Sequence, residues 1–65
     1  MEIFVNGRPH TIPAECSVAQ LLDELKLSGR LATEINREIV PSGHYVTRQL
    51  RSGDRVEIIR AVGGG

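Results

Sequence analysis

The chain has 65 residues with eight basic and eight acidic side chains, so its formal net charge is zero. A domain of this length buries only about 60% of its unfolded surface, which leaves little room for both a core and a deep catalytic pocket; an autonomous enzyme is not expected. Zero net charge supplies no global field toward nucleic acid or an anionic membrane, one cysteine makes neither a disulfide framework nor a zinc site, and no apolar run approaches the ~20 residues of a membrane span or has the layout of a signal peptide.

Glu2-Ile3-Phe4-Val5 opens a strand, with Ile3 and Val5 on one face and Glu2 and Phe4 on the other. Asn6-Gly7 is a type I′ hairpin signal, since both turn positions need φ > 0. Pairing across it sets Val5 opposite Arg8 and Met1 opposite Ile12, so Ile12 faces inward with Ile3 and Val5. Pro9 and Pro13 suit an edge strand, where a missing N–H does little harm. His10 falls on the inward face of that strand, with its polar tip expected to reach water. His10 and His44 are far apart in sequence and neither has a nucleophile partner, so both are read as structural or surface residues.

Ser17-Val18-Ala19-Gln20 reads as a capping box, the serine accepting from the Gln20 N–H and the glutamine side chain reaching back. Val18, Leu21, Leu22 and Leu25 then form one buried helical stripe. Cys16 precedes the cap and is expected to pack on Leu21. Lys26 suits the negative end of the helix dipole, and Gly29 is placed to end the helix in the left-handed conformation. Leu31, Thr33 and Ile35 alternate along a strand, Asn36-Arg37 makes a turn, and Glu38-Ile39-Val40 is a short strand ended by Pro41. Ser42 to Leu50 is irregular or holds a short helical turn, with Tyr45 packing under it. Ser52-Gly53-Asp54 is a further turn. Arg55 to Arg60 is the last strand, with Val56 and Ile58 inward.

The resulting order is β-β-α-β-β-β, an α+β roll in which a mixed sheet of four to five strands packs on one helix. The terminal strands are expected to lie side by side and parallel, the β-grasp arrangement. Residues 1–60 are expected to form this domain and residues 61–65 a flexible C-terminal glycine tail. Extended, the tail reaches about 17 Å, enough to enter another protein's active site. Its reactive group is the Gly65 carboxylate, a poor electrophile until activated, most simply as an acyl-adenylate. The chain has no phosphate-binding loop and no metal-ligand cluster, so ATP must be handled by a partner and no cofactor is bound here. On the sheet face away from the helix, Phe4, Ile59 and Ala32 are expected to form an apolar docking patch flanked by Glu34 and Glu57, because one helix cannot cover both faces.

The segments Val5-Asn6-Gly7, Ser17-Val18-Ala19-Gln20-Leu21-Leu22, Ile35-Asn36-Arg37-Glu38-Ile39-Val40-Pro41, Gly53-Asp54-Arg55-Val56-Glu57-Ile58 and Gly63-Gly64-Gly65 carry a resemblance over essentially the whole chain. It resembles the ThiS family, the thiamine-biosynthesis sulfur carrier proteins. Residue 37 is Arg where many members have Gly or Gln. The resemblance implies a ubiquitin-like β-grasp fold and a reaction course. A ThiF-like adenylyltransferase would activate Gly65 with ATP, and a cysteine-derived persulfide would replace the adenylate to leave a thiocarboxylate. A ThiG-like thiazole synthase would then take the sulfur into the thiazole ring. Gly64 and Gly63 would thread into the partners' active sites. Cytoplasmic location and a free monomer are the expected states. Alternatives are a carrier for another pathway, like the small subunit of molybdopterin synthase, a ubiquitin-like protein modifier, or a plain binding module.

Overall fold

The computed structural model describes residues 1–60, and the readings placed on 61–65 lie outside the described residues. The elements are β1 (Glu2–Val5), β2 (Arg8–Thr11), α1 (Val18–Glu24), β3 (Leu31–Ile35), β4 (Glu38–Val40), a 3₁₀ turn (Ser42–His44) and β5 (Arg55–Arg60). One five-stranded sheet runs in the order β2-β1-β5-β3-β4. Strand β1 pairs antiparallel with β2 and parallel with β5. Strand β3 pairs antiparallel with β4 and with β5. This is the β-grasp arrangement, with β5 at the centre of the sheet.

The β1–β2 hairpin turns at Asn6 (φ 49°) and Gly7 (φ 83°), as a type I′ turn requires. Val5 faces Arg8, and Met1 and Ile12 exchange hydrogen bonds beyond the ladder. Both prolines thus fall in or beside the edge strand. The inward residues Ile3, Ile12, Ile35, Val56 and Ile58 join Val18, Leu21 and Leu22 of the helix in one buried cluster, with Leu25, Leu31 and Tyr45 packed against it. Each fully buried Leu or Ile contributes about 1.5–3 kcal/mol. Cys16 belongs to the same cluster, as its position before the cap predicted.

Helix α1 has only seven residues, too few to persist in isolation, and its start is held by hydrogen bonds from outside the helix. The Ser17 N–H donates to the Gln20 Oε1 (2.8 Å) and the Gln20 N–H to the Ser17 Oγ (3.1 Å), completing the capping box. The Val18 and Ala19 N–H groups donate to the carbonyls of Arg48 (2.9 Å) and Tyr45 (2.8 Å). All four amides that a helix start leaves orphaned therefore have acceptors. The loop after the 3₁₀ turn does half of this, which explains why it is ordered without regular structure.

The other end of α1 departs from expectation. Lys26, not Gly29, takes the left-handed conformation that ends the helix, at φ 58°. The Lys26 N–H donates to the Asp23 carbonyl (3.0 Å) and the Leu27 N–H to the Leu22 carbonyl (2.9 Å), the paired bonds of a Schellman motif. Leu27 packs on the core behind it, and this apolar contact fixes the stop three residues before the glycine. Gly29 also has positive φ (89°), but in the following loop.

Candidate functional site

The segment 61–65 follows directly on β5, so what fixes β5 fixes where that segment begins. The β1–β5 ladder is short, pairing Phe4 with Arg55 and Val5 with Val56. Beyond it the chain turns away at Asn6, whose side chain replaces the missing strand. The Asn6 N–H donates to the Val56 carbonyl (2.8 Å). Its Oδ1 accepts from the Ile58 N–H (2.9 Å) and its Nδ2 donates to the Ile58 carbonyl (3.3 Å). One carboxamide thus mimics a peptide unit and carries the parallel pairing two residues further along β5.

The opposite end of β5 is held in the same way. The Asn36 N–H donates to the Arg55 carbonyl (2.8 Å), its Oδ1 accepts from the Arg55 N–H (3.0 Å), and its Nδ2 donates to the Asp54 Oδ1 (3.1 Å). Asp54 is buried, and its Oδ2 accepts from the Arg51 N–H (2.8 Å). The Asp54 carbonyl accepts from the Phe4 N–H (2.9 Å), which ties the entry of β5 to β1. The positioning roles of Asn6, Asn36 and Asp54 escape a reading of turn chemistry alone. The available signal is that an asparagine opens the turn after each strand that borders β5.

On the sheet face away from the helix, the register brings some of the expected patch together and separates the rest. Ala32 and Ile59 are direct cross-strand partners, and Ile59 is 57% exposed. Phe4 is paired with Arg55, whose guanidinium carbon lies 5.4 Å from the ring centroid. From Arg55 to Ile59 is about 13 Å along an extended strand, with Glu57 between them on the same face. Phe4 is therefore a cation–π platform at the start of β5, apart from the Ala32–Ile59 pair near its end. Ile39, 75% exposed, is a further apolar group on this face; β4 pairs it with Glu34.

The described residues offer little chemistry of their own. No group of three or more metal-ligating side chains occurs among them, and no helix among them is long and apolar enough to cross a membrane. The Cys16 thiol is buried and donates to the Ser17 carbonyl (3.5 Å). Burial, with a smaller contribution from the negative charge of Glu24, raises its pKa above the ordinary thiol value, so the neutral form is held and nucleophilicity is suppressed. His10 differs from expectation. Its Nε2 is buried and has no hydrogen-bond partner, so the polar tip does not reach water on the covered side of the edge strand. His44 lies in the 3₁₀ turn and is exposed. Gly63, Gly64 and Gly65 lie outside the described residues.

Comparison with known proteins agrees with this layout. The thiazole synthase of Paramagnetospirillum magneticum is 38% identical over 66 residues, a stretch covering 100% of this chain and 20% of that protein. The chain spans the same one-fifth share, at 33% identity, of the thiazole synthase of Magnetococcus marinus. The uncharacterized protein ycf40 of Porphyra purpurea is 36% identical over 66 residues, with 93% of its length covered. The crystal structure of the thiamine biosynthesis protein ThiS from Geobacter metallireducens superposes with a TM-score of 0.86 at 30% identity, with 100% of both chains covered. The family model described as the ThiS family matches residues 3–65, from the first inward residue of β1 through the three glycines, and the chain belongs to that family.

Proposed function

We propose that the chain is a sulfur carrier for thiazole formation in thiamine biosynthesis, and that its working group is the main-chain carboxyl of Gly65. A ThiF-like adenylyltransferase uses ATP to convert that carboxylate into an acyl-adenylate, with loss of pyrophosphate. The terminal sulfur of a cysteine-derived persulfide attacks the adenylate and AMP leaves; a thiol then cleaves the S–S bond of the resulting acyl disulfide, leaving a thiocarboxylate on Gly65 and a disulfide on the donor side. A ThiG-like thiazole synthase then takes the sulfur. Gly64 and Gly63 serve the passage into both enzymes, because backbone without Cβ fits a narrow channel. The chain itself binds neither ATP nor metal in this scheme; it presents one end group to enzymes that supply the chemistry.

The observation that carries this reading is the family match over residues 3–65, which runs through the glycines that follow β5. Two features support it. Strand β5 is central and held from both sides by Asn6 and Asn36, so the segment after Arg60 starts from a rigid base. Relatives bearing the same domain are named thiazole synthase.

The test is intact-protein mass spectrometry after incubation with the adenylyltransferase, ATP, a persulfide donor and a reducing thiol. The expected product is heavier by one oxygen-to-sulfur exchange located at Gly65, and absent when ATP is withheld or Gly65 is deleted. A chain that stays a carboxylate under these conditions, or that instead appears in reductant-stable adducts with lysine side chains, refutes the carrier role.

A further inference from the structure

We infer that the exposed face of the sheet along the second half of β5 is the docking surface for thiazole synthase, which enters it with an arginine or lysine set between Glu34 and Glu57. The inference rests on the carrier reading for the identity of the partner, but the surface is defined by the register alone. Strands β3 and β5 place Glu34 directly opposite Glu57. Like charges on cross-strand partners are destabilising, and here they share an uncovered face. Apolar groups border the pair on two sides. Ile39, 75% exposed, is the β4 partner of Glu34. The next outward rung holds Ala32 and Ile59, the latter 57% exposed. A cation brought between the two carboxylates, with its partner surface closing over those apolar groups, relieves the repulsion in a medium from which water is excluded, where the attraction is stronger than in solvent.

The cations already on this face lie toward the start of β5. Arg55 sits over Phe4, and it lines a shallow cavity with Arg37, Asn36 and Glu57. Along β5 toward residue 60 the face therefore runs from basic to acidic to apolar. Its apolar end lies beside the origin of segment 61–65, so a partner seated there controls where the tail goes. Thiazole synthase is the chosen occupant because its relatives join this domain and a chain about four times longer in one polypeptide, with the domain only 20% of the whole. In those relatives the remainder of the chain is covalently tethered to this domain.

The experiment measures calorimetric affinity of the full chain for purified thiazole synthase at low and high salt, together with thermal unfolding. Glu34→Lys is expected to weaken binding about tenfold or more and to flatten its salt dependence, while Tm stays equal or rises because Lys faces Glu57. Opposite movement of affinity and Tm is the signature a purely structural glutamate would not give. Should Glu34→Lys not fold, Glu34→Gln carries the same test with a smaller loss. Unchanged affinity of the folded variant overturns the inference. So does a loss confined to the adenylyltransferase, which reassigns the surface to that enzyme. Sulfur loading of the wild-type chain is scored separately by mass. Loading with charge-insensitive docking sinks this inference alone, whereas charge-sensitive docking without loading sinks the carrier reading and leaves the surface standing.

Discussion

The two hairpin turns of this domain are built to one plan and differ at one residue. Asn6-Gly7 joins β1 to β2, and Asn36-Arg37 joins β3 to β4. Each asparagine has φ near 50°, and each sends its carboxamide sideways into β5. The second positions diverge: Gly7 sits at 83° and Arg37 at 70°. Glycine enters that region without steric cost, whereas an L-residue with a Cβ loses roughly 1–2 kcal/mol there. The second turn forms despite this because Asn36 is locked to Arg55 and Asp54. A turn type can thus be imposed from the neighbouring strand as well as chosen by its own residues.

That account can be broken at the asparagines first. Asn6→Gly keeps the positive φ and removes only the carboxamide, leaving the part-buried Ile58 peptide without its partner. The expected loss is about 2 kcal/mol, read by denaturant unfolding, with faster hydrogen exchange at the Ile58 amide. A loss below about 0.5 kcal/mol, within the range of ordinary surface changes, means that the strand mimicry is incidental. Asn36→Gly is expected to cost less, about 1 kcal/mol. The Arg55 amide it abandons is solvent-exposed, and Asp54 keeps the Arg51 N–H.

At the second positions the two turns differ in backbone cost. A Cβ at Gly7 meets nothing within 4 Å, so Gly7→Ala tests backbone conformation without a clash and is expected to destabilise by about 1 kcal/mol. Arg37→Gly should act in the opposite direction, stabilising by about 0.5 kcal/mol after the greater freedom of the unfolded glycine is counted. If both substitutions prove destabilising, Arg37 contributes contacts that outweigh its strained backbone, and the turns are less alike than their dihedral angles suggest.

Much of the fold could be read from local chemistry. Asn6-Gly7, the Ser17/Gln20 box and the Val56/Ile58 alternation each name their structure through one residue's conformational or bonding preference. The same logic failed at Lys26 because the stop of α1 is chosen by Leu27 reaching the core, a tertiary contact that outranks the glycine downstream. It failed at His10 because a neighbour's coverage, not the alternation of the strand, decides whether an imidazole meets water. The docking face was half legible. Side-chain parity along each strand placed Phe4, Ala32 and Ile59 on one side of the sheet. How far β5 slides along β1, which parts Phe4 from Ile59, depends on long-range pairing that no local pattern encodes. The exposure of Ile39 was missed for a related reason, since a three-residue strand shows too few alternations to assign its faces.

The parallel contact of β1 with β5 also governs how this chain is made. Its clamp joins residues 52 positions apart, nearly the full span of the described domain. Contacts so distant in sequence must overcome loop-closure entropy before they return any energy, and they slow folding. During synthesis the β1–β2 hairpin emerges first, but the sheet has a gap at its centre until Arg60 has left the ribosome. An interrupted chain lacking β5 exposes two unpaired strand edges, at β1 and at β3, and is exposed to proteolysis and aggregation. The order of the strands thus reserves the protected state for chains that include the strand leading into the glycines.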